Sequence, residues 1–167
     1  MSHPAIQRAE AVLAEFHKYF EDEASFGPPA DEARFKAFGE QLGYELPLDF
    51  VYFLTRHNSF DVGGTEVYGL DPAYGEQSLD RVYLFEHNDA AMNPMPPHFL
   101  PFSNDGAGNH YCLDLQRLQN GTCPVVFWQH DVRYGRPGEV ETCNDTFTDW
   151  VKEVMIDWTL EDMDEED

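Results

Sequence analysis

The fold is decided by residues 110–130, HYCLDLQRLQNGTCPVVFWQH, in which two strand-like runs flank a turn sequence. In residues 110–115 polar and apolar side chains alternate, which predicts a strand with one buried face and one partly solvent-exposed face. Residues 124–130 are apolar on both faces, as in a central strand that a helix covers on at least one side. Asn120 and Gly121 favour a tight turn between the two runs. We therefore expect an antiparallel strand pair inside a sheet.

Two shorter runs upstream have the composition of strands. Residues 65–70, TEVYGL, are β-prone and follow Gly63 and Gly64, and residues 99–102 follow the proline-rich break MNPMPP. Residues 79–90, which lie between these runs, fit neither a helix nor a strand clearly. The middle of the chain is therefore expected to supply the sheet.

Helical periodicity lies at the two ends of the chain, where apolar residues recur every three or four positions. The predicted helices span residues 4–20, 31–43, 47–58 and 146–158. Pro47 suits the first turn of the third helix, and Asn58 is expected to close that helix in the left-handed conformation. Thr146 with Asp149 resembles a capping box at the start of the last helix. Three helices are thus expected before the sheet and one after it.

The composition describes a single, strongly acidic domain. The 167 residues include 32 acidic and 10 basic ones, which gives a formal charge of −22. Nucleic acid phosphates and anionic membrane surfaces would repel such a chain, so neither is expected as a partner. We assign residues 1–158 to one domain and residues 159–167 to an acidic C-terminal tail that is solvated or frayed.

Several features of the sequence favour the cytoplasm. The N-terminal stretch is amphipathic and lacks the apolar run of a secretory signal, and no stretch approaches the roughly 18 apolar residues of a spanning helix. The three cysteines, Cys112, Cys123 and Cys143, are odd in number and contain no C-x-x-C pair. We expect buried free thiols in a reducing compartment, and no metal or other cofactor.

Familiar catalytic motifs are absent from the sequence, so no enzymatic activity is expected. Residues 103–111, SNDGAGNHY, superficially resemble a calcium loop but lack its alternating acidic ligands and closing Glu. A tight turn explains Gly106 and Gly108 more simply. His130 and Asp131, directly after the predicted central strand, could form a general base, although no nucleophile or pocket is visible beside them.

Four stretches, taken in order, resemble the SUKH superfamily, which includes the yeast Smi/Knr cell-wall regulators and many bacterial proteins. ELPLDFVYFLTRHNS (45–59) is similar to a Leu-Pro-x-(Asp/Tyr)-(Phe/Tyr) helix of the family, and VYGL (67–70) to the short strand after it. FLPFSNDGAGNHYCLDL (99–115) and PVVFWQHD (124–131) are similar to the family's paired strands and glycine-rich turn. The resemblance extends over about residues 30–158.

The resemblance implies an α+β fold, with an antiparallel sheet flanked by N-terminal helices and a C-terminal helix. It also implies protein binding, because bacterial members are largely immunity proteins that neutralise a cognate polymorphic toxin, often a nuclease or a deaminase. A basic toxin domain would suit the acidity of this chain. Two alternatives stay open: a regulatory scaffold of the Smi/Knr type, and a small hydrolase that uses His130.

Contact residues are not carried over from the family, because immunity proteins diverge with their toxins. The sequence itself offers four acidic residues near one edge of the predicted sheet. They are Asp105 in the glycine-rich turn, Asp131 after the central strand, and Glu139 and Glu141 in the following loop. We predict that these four residues contact the basic partner, and that the chain is a monomer or a weak homo-oligomer.

Overall fold

The computed structural model describes residues 3–88, 93–136 and 139–165, with helices at both ends of the chain and strands in its middle. The helices are α1 (Pro4–Phe20), α2 (Glu32–Leu42), α3 (Leu48–Arg56), α4 (Leu79–Glu86), α5 (Phe147–Trp150) and α6 (Trp158–Glu165). The strands are β1 (Ser25–Phe26), β2 (Phe60–Val62), β3 (Thr65–Val67), β4 (Phe99–Asn104), β5 (His110–Asp114), β6 (Val125–Trp128) and β7 (Glu141–Asn144). The predicted α+β fold class, an antiparallel sheet flanked by N-terminal helices and a C-terminal helix, is confirmed.

The larger sheet has the order β4-β5-β6-β7, and all its neighbouring strands are antiparallel. The predicted pairing of β5 with β6 is confirmed, with Leu113 opposite Val125 and Tyr111 opposite Phe127. Both turn residues between these strands have positive φ, 54° at Asn120 and 81° at Gly121, as a type I′ turn requires. The strand is apolar on both faces because both are covered: Val125 packs into the main core, and Val126 and Trp128 pack into a second, smaller cluster.

A second, three-stranded sheet has the order β1-β2-β3. It is joined to the larger sheet where the amide of Tyr68 donates to the carbonyl of Phe102 at 2.9 Å. The predicted strand 65–70 is therefore shorter than expected, because the chain ends its pairing with β2 at Val67 and turns toward β4.

The burial of β5 corrects one prediction. The face that carries His110, Cys112 and Asp114 was expected to be partly solvent-exposed, yet all three residues are buried. A small cluster of apolar residues covers this face: Met95, Phe99, Cys112, Val126, Trp128 and Val140. The helices cover the other face, where Tyr111 is half-buried rather than fully buried.

Two predictions about α3 are also corrected. Pro47 precedes the helix as its N-cap instead of lying in its first turn. Asn58 does not adopt the left-handed conformation, which Ser59 adopts with φ 98°. The Asn58 side chain is buried; its Oδ1 accepts from the amide of Leu70 at 2.7 Å and its Nδ2 donates to the carbonyl of Leu70 at 3.0 Å. The end of α3 is thus fixed by a distant segment and not by a local cap.

A buried acid joins α3 to the C-terminal helix. Asp49 Oδ2 accepts from the amide of Thr148 at 3.1 Å and from its hydroxyl at 3.0 Å, while Oδ1 accepts from the amide of Phe50 at 2.9 Å. Burial raises the pKa of Asp49 above its ordinary value, and these hydrogen bonds oppose the shift. The start of α5 is therefore held against the start of α3.

The C-terminal helix differs from the prediction in length and shape. Thr146 caps it as expected, since its hydroxyl accepts from the amide of Asp149 at 3.0 Å, but the Asp149 carboxylate pairs with Arg8 instead. A π-helical segment, Val151–Asp157, continues α5 into α6. The described part of the predicted tail, residues 159–165, is helical, with residues 161–165 exposed. This part is solvated as predicted but not frayed.

The structure also shows the conformation of most of residues 79–90 and the burial of the three cysteines. Residues 79–86 form α4, whereas residues 89 and 90 lie outside the described residues. Cys112 and Cys123 are buried free thiols as expected, but Cys143 is only half-buried. Within the described ranges, no helix combines the length and the apolar character needed to span a membrane.

Candidate functional site

The four acidic residues selected from the sequence all lie at one end of the larger sheet. At this end β4 runs into β5 through Asp105, β6 runs out toward Asp131, and β7 begins at Glu141, two residues after Glu139. The strand pairing explains this placement, since antiparallel neighbours begin and end at alternate ends of the sheet. We call these four residues the acidic end.

Asp105 organises the turn between β4 and β5. Its Oδ1 accepts from the amides of Ala107 at 2.8 Å and Asn109 at 3.1 Å, and its Oδ2 accepts from Asn109 Nδ2 at 2.8 Å. Desolvation favours the neutral acid, but these hydrogen bonds outweigh it and hold the pKa of Asp105 below its ordinary value. Asp105 is therefore a turn-forming residue with a stable charge, and the predicted tight turn at Gly106 and Gly108, both with positive φ, is confirmed.

His130 is tied to the same turn. Asn109 Oδ1 accepts from the amide of His130 at 3.1 Å and lies 2.9 Å from its Nδ1. A Cβ on Gly108 would lie 3.0 Å from that Nδ1, so a side chain at Gly108 would press on the ring. The turn and the exit of β6 are thus packed as one unit, with the exposed Asp131 beside them.

The two remaining acidic residues differ in how far they are engaged. Glu139 accepts from the amide of Gly135 at 2.8 Å and lies 4.0 Å from Arg136. Among the residues that the structure describes, neither Glu141 nor Asp131 makes a side-chain hydrogen bond or an ion pair. Glu141 and Asp131 therefore have carboxylates available to a partner, whereas Asp105 and Glu139 also support local structure.

An aromatic pair, which the sequence did not single out, lies beside the acidic end. The rings of Tyr111 and Phe127 are half-buried with centroids 5.1 Å apart, and Glu141 is paired directly opposite Phe127. Burial raises the pKa of the Tyr111 hydroxyl, and carboxylates nearby, those of Asp105 and Glu141 among them, add to the effect. The cross-strand row from Tyr111 through Phe127 to Glu141 is the signal that could have revealed this pair.

This arrangement suits a positively charged side chain of another protein. A Lys or Arg is attracted to an aromatic face and forms its stronger hydrogen bonds with a carboxylate. The chain itself competes little for these acids. Among the described residues, Arg136 pairs with Glu139, and no other Lys or Arg lies within ion-pair distance of the acidic end.

A second surface feature is an apolar groove of about 910 Å³ between α2 and α3. Its floor includes Val51 and Tyr52, which lie on the outward face of α3, and Arg56 lies 3.7 Å over the Tyr52 ring. Neither this groove nor a smaller one of about 510 Å³ beside Asp49 includes His130. The pocket that the hydrolase alternative needs around His130 is therefore not provided by either groove.

These observations define an α+β domain with an acidic and aromatic surface at one end of its sheet. Residues 29–153 match the model of the SMI1 / KNR4 family (SUKH-1), so the chain belongs to that family, as its sequence indicated. A crystal structure of a protein from Pseudomonas syringae pv. tomato has a similar fold, with a TM-score of 0.60 and 23% sequence identity. The alignment covers 87% of this chain and 96% of that one.

Proposed function

We propose that this chain is a cytoplasmic protein-binding domain without catalytic activity, and that it acts as an immunity protein. Its partner is a basic toxin domain, such as a nuclease or a deaminase, which it neutralises by covering the toxin's active surface. Family membership supports protein binding. The observation that carries the proposal is the half-buried Tyr111 and Phe127 pair beside the carboxylate of Glu141, which has no partner among the described residues.

The charge of the chain supports a basic partner. Opposite charges steer two proteins together and can raise association rates to about 10⁸–10⁹ M⁻¹s⁻¹ at low salt. Exposed charges are screened beyond about 10 Å at 0.1 M salt, so association should slow as salt is added. Within the acidic end, Asp131 and Glu141 have the carboxylates most available to a basic partner, because neither makes a side-chain hydrogen bond or ion pair with a described residue.

The experiment compares two variants with the same change in charge. The test variant is Asp131→Arg with Glu141→Arg, and the control is Asp22→Arg with Glu23→Arg, two exposed acids after α1. Tagged proteins are used to capture partners from lysate of the source cells, and the captured protein is then measured for affinity and toxicity.

The expected result is one basic toxin that the wild type and the control bind and inhibit equally. The test variant should bind it at least about tenfold more weakly. Equal binding by both variants would remove the acidic end from the interface. Recovery of several ordinary cellular proteins would favour a regulatory scaffold of the Smi/Knr type, and an association rate unaffected by salt would contradict electrostatic steering.

A further inference from the structure

Two histidines from distant parts of the chain contact each other through a ring nitrogen of each. His17 lies on α1 and His57 follows the last residue of α3. Their Nε2 atoms are 2.9 Å apart, and their ring centroids are 5.0 Å apart. Two ring nitrogens at this distance need one proton between them, because two lone pairs or two N–H groups would repel.

The outer hydrogen bond of His17 limits the hydrogens at the contact. His17 Nδ1 lies 2.6 Å from Glu21 Oε2, and an ionised carboxylate only accepts, so this nitrogen donates. When His17 is neutral, its Nε2 therefore has a lone pair that accepts from the Nε2–H of His57; when His17 carries hydrogens on both nitrogens, His57 accepts instead. In both arrangements a single hydrogen lies between the two inner nitrogens, 2.9 Å apart.

We propose that Glu21, His17 and His57 form a latch that one shared proton closes and that a second proton opens. In the closed latch His17 donates from Nδ1 to Glu21, and the two Nε2 atoms share one hydrogen. Protonation of both rings places N–H against N–H, which breaks the 2.9 Å contact and sets two positive charges side by side.

The latch holds the segment that connects α1 to α2, residues 21–31. Phe26 stacks on His17 with centroids 4.6 Å apart and contacts His57 at 4.5 Å. Beyond it, the amide of Gly27 donates to the carbonyl of Ser59 at 2.7 Å, and the amide of Asn58 donates to the carbonyl of Pro28 at 2.8 Å. Opening the latch therefore loosens this segment from the chain that follows α3.

The surrounding charges agree with a latch that is closed at neutral pH. Burial lowers the pKa of His57 below 6.5, and the neighbouring His17 lowers it further; Glu21 opposes this shift and Arg56 supports it. β1, packed on the same rings, contributes no charged residue. Because the folded state favours neutral His57, this stability is fully present above pH 6.5 and is lost as the pH falls toward the lowered pKa.

NMR of the full chain with ¹⁵N-labelled histidine tests the latch directly. At pH 7 the expected signals show a hydrogen on Nδ1 of His17 and a hydrogen on only one of the two Nε2 atoms. Between pH 7 and pH 5, the amides of Gly27 and Asn58 should lose at least about tenfold in exchange protection, after correction for intrinsic exchange. The amide of Leu113, in the core of the larger sheet, should not change.

Two variants separate the latch from a general effect of acid. His17→Gln can still donate to or accept from His57 but carries no charge at any pH, so the pH dependence at Gly27 and Asn58 should flatten. His130→Gln, which removes an exposed histidine at the acidic end, should behave as the wild type. Hydrogens on both Nε2 atoms, or on neither, at pH 7 would overturn the proposal, and so would protection at Gly27 and Asn58 that is independent of pH in the wild type. Neither outcome bears on whether the chain binds a toxin.

Discussion

The two faces of the larger sheet are covered in different ways. On the helix face, the ring of Phe102 packs against Phe147 and Trp150, with centroids 5.1 and 4.8 Å away, inside a cluster that also contains residues of α1 and α3. On the opposite face a much smaller cluster is closed by Met95 and Val140, which belong to irregular segments. We call these the helix face and the loop face.

The difference between the faces is one of size more than of polarity. The loop face holds a hydrogen-bonded pair of His110, on β5, and the half-buried Glu86, at the end of α4, with nitrogen and oxygen 2.9 Å apart. Among the described residues, His110 Nδ1 and Trp128 Nε1 on this face have no hydrogen-bond partner, and on the helix face Trp150 Nε1 has none either. Because the loop-face cluster is much smaller and is closed by irregular segments, we infer that it opens locally at a lower free energy than the helix face.

The largest expected effect comes from removing one phenylalanine from each face of β4. Phe102→Ala should lower the free energy of unfolding by about 4–5 kcal/mol, because its neighbours come from several elements and cannot collapse into the space. Phe99→Ala should cost about 3 kcal/mol, since the loop face can relax around the cavity. Both residues are almost fully buried, so urea denaturation of the two variants is a matched comparison. An equal or larger loss for Phe99→Ala would contradict the difference between the faces.

A smaller effect is expected from the hydrogen-bonded pair on the loop face. Glu86→Ala leaves His110 without its acceptor and should lower the free energy of unfolding by about 1–3 kcal/mol. Glu86→Gln keeps an oxygen that can accept from His110 and should lose less. The same urea measurement on Glu76→Ala, an exposed acid, provides the control. If Glu86→Gln were as unstable as Glu86→Ala, the charge and not the hydrogen bond would hold the pair together.

The same contrast shows what the sequence could and could not predict. Local patterns predicted the antiparallel pairing of β5 and β6, and that pairing was enough to bring Asp105 and Asp131 to one end of the sheet. Glu141, expected in a loop, reaches this end because it begins β7, whose pairing with β6 no local pattern predicted. Alternation marked His110 as polar but could not show that Glu86, 24 residues earlier, would pair with it. Asn58 was misjudged for a similar reason, because its partner Leu70 is distant in sequence.

The aromatic part of the candidate site was missed for a geometric reason. Alternation correctly assigned Tyr111 to the face that the helices cover, and Trp150 packs against it with centroids 5.3 Å apart. The pattern does not tell how far along the sheet that helix cover extends. Tyr111 and Phe127 lie where the cover is incomplete, so their partial exposure depends on the position of α5 and not on their own strands.

The finest test of the two faces uses the three cysteines as reporters, with alkylation of the native protein followed by mass spectrometry. Cys143 is half-buried, and burial together with Glu141 and Glu153 raises its pKa to about 11, so it should react on the order of a hundredfold more slowly than a free thiol at neutral pH. Cys112 lies under the loop face and Cys123 in the cluster of the helix face, and burial raises the pKa of both thiols. Their reaction requires local opening, so Cys112 should react after Cys143 and before Cys123. Modification of Cys123 before Cys112 would show that the loop face is the more firmly closed of the two.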